Sequence, residues 1–170
     1  MIREQMLAAE KVKALDWREG GLYLLDQRLL PQQELWQRYE TSTDVAQAIA
    51  QMRVRGAPAI GIAAAFAVVL AAQQHFVNGV NDWQAALEAD FAELAESRPT
   101  AVNLFWALQK MRDCLAVAAQ HAEPLAVLEQ QALDILNADL EANLSMAQLG
   151  LEVINRANAG PQHVMTHCNT

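Results

Sequence analysis

Positive charge is gathered nowhere in this sequence. No cluster of lysines or arginines interrupts the 170 residues, and the formal net charge is −8 with a pI near 4.9. A basic stripe is the electrostatic footprint of nucleic-acid binding and of attachment to anionic lipid. The chain therefore predicts no nucleic-acid partner and no membrane. A small phosphorylated ligand remains compatible, because a local pocket matters more there than net charge. Cysteine is equally scarce. Cys114 and Cys168 stand in unlike contexts, so no disulfide is expected and a reduced, cytoplasmic setting fits. Met1 to Lys13 is charged and lacks the apolar core of a secretory signal. The apolar run of sixteen residues from Ala57 to Ala72, without a charge, carries Pro58 and Gly61 and is short for a membrane span. Asp134, Asp139 and Glu141 have no histidine at ligand spacing, so they read as a solvated helix face and no metal is expected.

What is present is apolar. With 53% hydrophobic and 19% charged residues, the chain can bury a core, and its length suits one ordinary domain with a short appendage. Val12 to Trp17 and Leu22 to Asp26 flank Arg18-Glu19-Gly20-Gly21, which predicts a β-hairpin with a four-residue glycine turn. Asp26 and Arg28 read as a local surface pair. Thr43 or Asp44 caps a helix whose apolar positions are Val45, Ala48, Ile49 and Met52. Asn78-Gly79 is a break, and Asp82 caps a helix with Trp83, Ala86, Leu87, Phe91 and Leu94 on one face.

Between these lies Val54-Arg55-Gly56-Ala57-Pro58-Ala59-Ile60-Gly61. Proline is favoured in the first helical turn, so Pro58 marks a helix start and Arg55-Gly56-Ala57 the loop feeding it. Such a start offers free N–H groups and a partial positive charge to a phosphate or carboxylate. Arg55 adds a planar donor fork, and Gly56 lets the backbone approach a ligand. A buried helix preceded by a glycine loop explains the same residues without a ligand. Ala57, Gly61 and Ala65 recur every four residues, a stripe permitting close helix approach, and the absence of a polar face places this helix centrally.

A second arginine before a proline, Arg98-Pro99, is taken to open the helix from about residue 100 to 121. Val102, Phe105, Leu108 and Leu115 are assigned to its packed face, Trp106 to the core, and Asn103 to a helping role. The repetition predicts that two helix starts converge on one anion. Cys114 reads as a buried, inert thiol. Pro124 opens the longest helix, to about Asn158, with Leu125, Leu128, Ala132, Ile135 and Leu136 as its stripe. Val164 to Thr166 reads as a strand with Thr166-His167-Cys168-Asn169 at its end, where reacting groups gather in α/β domains. Adjacent strand residues face opposite sides, so His167 is not expected to be the direct partner of Cys168.

Four segments, LLDQRLLP, VRGAPAIGIAAAFAVVLA, RPTAVNLFWAL and VMTHCNT, resemble in order the motifs of the methylthioribose-1-phosphate isomerases. That family is related to the regulatory subunits of the translation factor that exchanges guanine nucleotide. The resemblance implies a mainly α N-terminal domain: a β-hairpin segment over 1–30, a helical bundle over 31–160, and at 161–170 the first strand of a Rossmann-like domain continuing past Thr170. It implies conversion of 5-methylthioribose 1-phosphate to 5-methylthioribulose 1-phosphate in methionine salvage. Neither metal nor organic cofactor is implied, and the full-length protein is expected to be a homodimer. Arg55, Gly56, Ala57 and Arg98 would bind the phosphorylated pentose. Cys168 would be the acid/base group beside an aspartate beyond Thr170, so residues 1–170 alone should be inactive. Two rivals stand: an isomerase of 5-deoxyribose 1-phosphate or ribose 1,5-bisphosphate, and a non-catalytic regulatory subunit.

Overall fold

A computed structural model of the chain describes residues 13–157 together with Gly160, His163 and Met165. Of the strand expected at 164–166 only Met165 is described, and the turn holding His167 and Cys168 lies outside the described residues.

The chain enters through β1 (Leu15–Arg18) and β2 (Gly21–Leu25), which pair antiparallel. Arg18 pairs directly with Gly21, so the turn is two residues rather than four. Glu19 and Gly20 both have positive φ, 53° and 66°, the arrangement whose twist matches that of the flanking strands. A third strand absent from the sequence expectations, β3 (Trp36–Tyr39), pairs antiparallel with β2 to complete the order β1-β2-β3. Leu22, Leu24 and Tyr39 join the same core as the helices. Trp17 fastens the sheet to the bundle by two bonds of different kinds. Its ring stacks on Phe66 with centroids 4.7 Å apart, and its Nε1 donates to Glu129 Oε1 at 2.8 Å.

Asp26 corrects the surface assignment. Its carboxyl is buried, accepting Arg28 Nε at 2.9 Å, Arg28 NH2 at 2.6 Å and the Arg28 backbone N–H at 3.1 Å, while the Arg28 side chain is about half in solvent. A buried carboxylate persists only when so satisfied. The Arg28 guanidinium holds the Asp26 carboxyl below its ordinary value of 3.8.

Helix α1 (Ser42–Ala50) starts two positions earlier than a cap at Thr43 would place it and three earlier than one at Asp44. Thr41 is the cap, its hydroxyl oxygen accepting the Asp44 N–H at 3.1 Å. Val45, Ala48 and Ile49 are buried as the spacing predicts, but Met52 has left the helix, with φ at 58°, and is exposed. Helix α2 (Ala57–Val77) is buried at every residue from Ile60 to Ala72. By length and mean hydropathy, 1.7, it could cross a bilayer; 72% of that window is instead buried within the fold. It is the central post, packed by α1, both neighbouring strands and three more helices: α3 (Trp83–Ser97), α4 (Val102–Ala118) and α5 (Pro124–Ala157). Burial of one such side chain, Phe66, contributes on the order of 2 kcal/mol.

Asp82 caps α3 as expected, accepting the Ala85 N–H at 3.0 Å, and Leu87, Phe91 and Leu94 face inward. Asp90, on the same helix, takes the Ser42 hydroxyl and His75 Nε2, tying α3 to α1 and to the end of α2. Helix α5 follows the predicted stripe through Leu128, Ala132 and Ile135.

Helix α4 departs from expectation twice. It begins at Val102, not near Thr100, because Pro99 forces Arg98 into extended backbone, φ −150° and ψ 86°, and a turn closed by Ala101 N to Arg98 O at 3.0 Å intervenes. Its packed face is Leu104, Ala107, Leu108, Met111 and Ala118, leaving Val102 and Phe105 outside. Trp106, assigned to the core, is 49% exposed.

Candidate functional site

Gly56 makes the first of two helix starts that matter here. Its φ of 94° and ψ of 131° suit glycine and few other residues, and they turn the chain from the Arg53–Arg55 loop into α2. Gln27 anchors that loop, its N–H donating to Arg53 O at 2.9 Å and its Nε2 to Arg55 O at 3.5 Å. Pro58 lies in the first turn as predicted, and no side chain caps the helix. First-turn N–H groups have no partner inside a helix, so they face outward carrying the positive end of its dipole. Helix α4 also begins without a side-chain cap, at Ala101.

The small-residue stripe brings these two starts together. A Cβ on Gly61 would stand 2.7 Å from the Asn103 carbonyl oxygen, so the α4 backbone lies directly on α2 there. The pair opens on one cleft of about 400 Å³. Pro58, Gly61 and Ile62 of α2 form one wall and Val102, Asn103 and Trp106 of α4 another, with α5 closing the third side through Ile135, Ala138 and Asp139. Residues from the first turns of both helices thus border one cleft. The arginines themselves stand outside the walls: Arg55 is exposed beside the α2 start, and Arg98 is half-buried ahead of α4. Cys168 lies outside the described residues.

Two residues of the cleft carry more than the sequence assigned them. Asp139, grouped there with a solvated acidic face, is half-buried, and burial pushes its carboxyl above 3.8. Asn143 Nδ2 donates to it at 3.3 Å. Trp106 lines the cleft instead of packing in the core. Its signal was available in the crowding of Val102, Leu104, Phe105, Trp106 and Leu108, which cannot all lie on one side of a helix. Cys114, by contrast, sits away from this cleft, half-buried against α5 with its thiol toward Val127 O at 3.8 Å. Burial, with Asp134 nearby, pushes that thiol up, the direction of an unreactive cysteine.

A family model for the initiation factor 2 subunit family matches residues 53–170, from the α2 loop onward. The chain belongs to that family. Among curated members, it is 58% identical over 169 residues to the methylthioribose-1-phosphate isomerase of Pseudomonas aeruginosa and 57% identical to that of Azotobacter vinelandii. In each case the match takes in 99% of this chain and 47% of the relative, so the chain spans about half the length of the curated relatives it matches. Among solved structures, the 5-methylthioribose 1-phosphate isomerase from Pyrococcus horikoshii OT3 superposes with a TM-score of 0.79 at 35% identity, covering 85% of this chain and 41% of that one. The translation initiation factor eIF-2B subunit delta from A. fulgidus gives 0.68 at 28% identity, over 77% and 38% of the respective chains. The family's catalytic and translational branches therefore share this helical fold.

Proposed function

We propose that the protein is an aldose–ketose isomerase converting 5-methylthioribose 1-phosphate to 5-methylthioribulose 1-phosphate in methionine salvage, and that this chain supplies the phosphate-binding half of the site. One observation carries the reading: two uncapped helix starts, one preceded by Arg55-Gly56 and the other by Arg98, open on a single cleft. Identity near 58% with proteins named for this reaction supports it over the translational branch, where identity is 28%.

The substrate bears its phosphate on the anomeric carbon, so ring opening and isomerisation must proceed together. The C1–O4 bond breaks and O4 takes up a proton. The hydrogen of C2 moves to C1, and the C2 hydroxyl loses its proton as the C2 carbonyl forms; no atom or electron is gained overall. Transfer as a proton or as a hydride satisfies this balance equally. Main-chain N–H groups at Gly56 and Ala57, with the Arg55 and Arg98 guanidinium groups, hold the phosphate and hydroxyls. The apolar walls of the cleft keep water from the reacting carbons. Cys168 exchanges the proton, in concert with an aspartate from a Rossmann-like domain beginning at 161–170. The working protein is cytoplasmic and a homodimer.

Steady-state kinetics by NMR on the intact protein test this. The wild type should convert 5-methylthioribose 1-phosphate; Arg55→Ala should act mainly on KM and Cys168→Ala mainly on kcat, by about 10²- to 10⁴-fold for a positioned acid/base group. An intact protein with no turnover of this sugar, or a Cys168→Ala variant near wild-type rate, contradicts the proposal.

A further inference from the structure

The loop that presents Arg55 is held at two carbonyls by one residue just past β2. Gln27 donates its main-chain N–H to Arg53 O at 2.9 Å and its side-chain Nε2 to Arg55 O at 3.5 Å. Gln27 is itself fixed from both flanks. The Asp26 N–H donates to Leu35 O at 2.9 Å, and the buried Asp26 carboxyl accepts three N–H groups of Arg28, closing a turn around Gln27. A second fixed point lies at the start of the loop, where the Arg53 N–H donates to Ala48 O at 2.9 Å.

The weak point of this loop is its last peptide unit. Glycine takes positive and negative φ about equally well, so the unit joining Arg55 to Gly56 can turn over at little intrinsic cost. That unit is trans, and in a trans unit the carbonyl and the N–H point in opposite directions. Drawing Arg55 O toward Gln27 Nε2 therefore selects the orientation, with Gly56 at φ 94°, in which the Gly56 N–H points away from Gln27. Neither the Gly56 nor the Ala57 N–H has a hydrogen-bond partner among the described residues. On this basis, and resting on the isomerase reading above, we propose that Gln27 is a positioning residue for the substrate. Its side-chain amide holds the Arg55–Gly56 peptide so that the Gly56 N–H is presented to the phosphate. Gln27 touches the loop and not the sugar, and its donor can be removed without emptying the core, because the residue is only half-buried.

The experiment measures KM and kcat for 5-methylthioribose 1-phosphate, with Tm, in the intact protein and in its Gln27→Met and Gln27→Ala variants. Methionine keeps the length of the side chain and removes the donor; alanine carries the test should methionine pack badly. Both variants keep the main-chain bond to Arg53 O. Each should raise KM by about 2- to 10-fold, the worth of one neutral hydrogen bond and of a peptide no longer held in its binding orientation. Neither should change kcat or Tm appreciably, a split that general loosening of the loop would not give. Wild-type KM in both variants overturns the positioning role and leaves the isomerase reading intact. A fall in kcat and Tm together, with KM unmoved or moved in step, overturns it as well, because Gln27 would then be a structural residue only. Absence of turnover in the wild type refutes the isomerase reading, and the positioning role with it.

Discussion

Replacing Gly61 by alanine should destabilise the protein, although glycine in a helix interior is ordinarily a liability. The added Cβ would lie 2.7 Å from the Asn103 carbonyl oxygen, 3.2 Å from its carbon and 3.4 Å from the Ala107 Cβ. Two of those three neighbours are backbone, which no rotamer change can move, so α2 and α4 must separate. Overpacking of this kind typically costs about 1–3 kcal/mol. Against it stands the gain of about 0.5–1 kcal/mol from replacing a helical glycine. The net expectation is a loss centred near about 1 kcal/mol and reaching about 2.5 kcal/mol, or roughly 2–10 °C in Tm for a domain of this size. Gly150 supplies the opposite case. It also lies within a helix, α5, but a Cβ there meets nothing within 4 Å. Gly150→Ala should therefore stabilise by about 0.5–1 kcal/mol. Thermal and urea unfolding of the two variants would measure both signs in one series. Gly61→Ala matching or exceeding wild-type stability would refute the claim that the two helix starts are held together by backbone contact.

Three other substitutions probe the surroundings. Asp26→Asn should cost about 1.5–3 kcal/mol through loss of a charge-assisted pair, measured by urea unfolding at neutral pH. Because the Asp26 carboxyl is held below 3.8, its contribution is present above that pH and disappears as pH falls through the folded value, so wild type and variant should converge in acid. Asp139→Asn should have the reverse profile. With the folded carboxyl raised, the charged form is the penalised one above about pH 3.8, so the variant should be no less stable than wild type at pH 7, and any gain should vanish below 3.8. Gly56→Ala should cost about 1–3 kcal/mol by forcing a side chain into a backbone conformation with φ of 94°, and a calorimetric scan would show it.

The elements most legible in the sequence were those whose signals are local. Pro58, the Asp82 cap, the Asn78-Gly79 break and the α5 stripe each act within a few residues, and the structure uses all four. Strand β3 was hidden because Gln37 and Arg38 break any alternation; four residues become a strand there by pairing with β2. Asp26 looked like surface because nothing nearby shows that its carboxyl turns inward under a guanidinium from two residues away. Of the candidate site, Gly56 and Pro58 were readable as a helix start, but Asp139 was not readable as a wall of the same cleft. Its placement depends on α5 returning past α2 and α4, a contact between residues far apart in sequence.

The central claim is that the cleft between the α2 and α4 starts receives a sugar phosphate, and a crystal structure of the intact protein with 5-methylthioribose 1-phosphate tests it most directly. The account predicts phosphate oxygens within about 3 Å of main-chain N–H groups at Gly56 and Ala57, with Arg55 and Arg98 beside them. A sugar phosphate bound away from both helix starts, with this cleft filled by other parts of the protein, would contradict it.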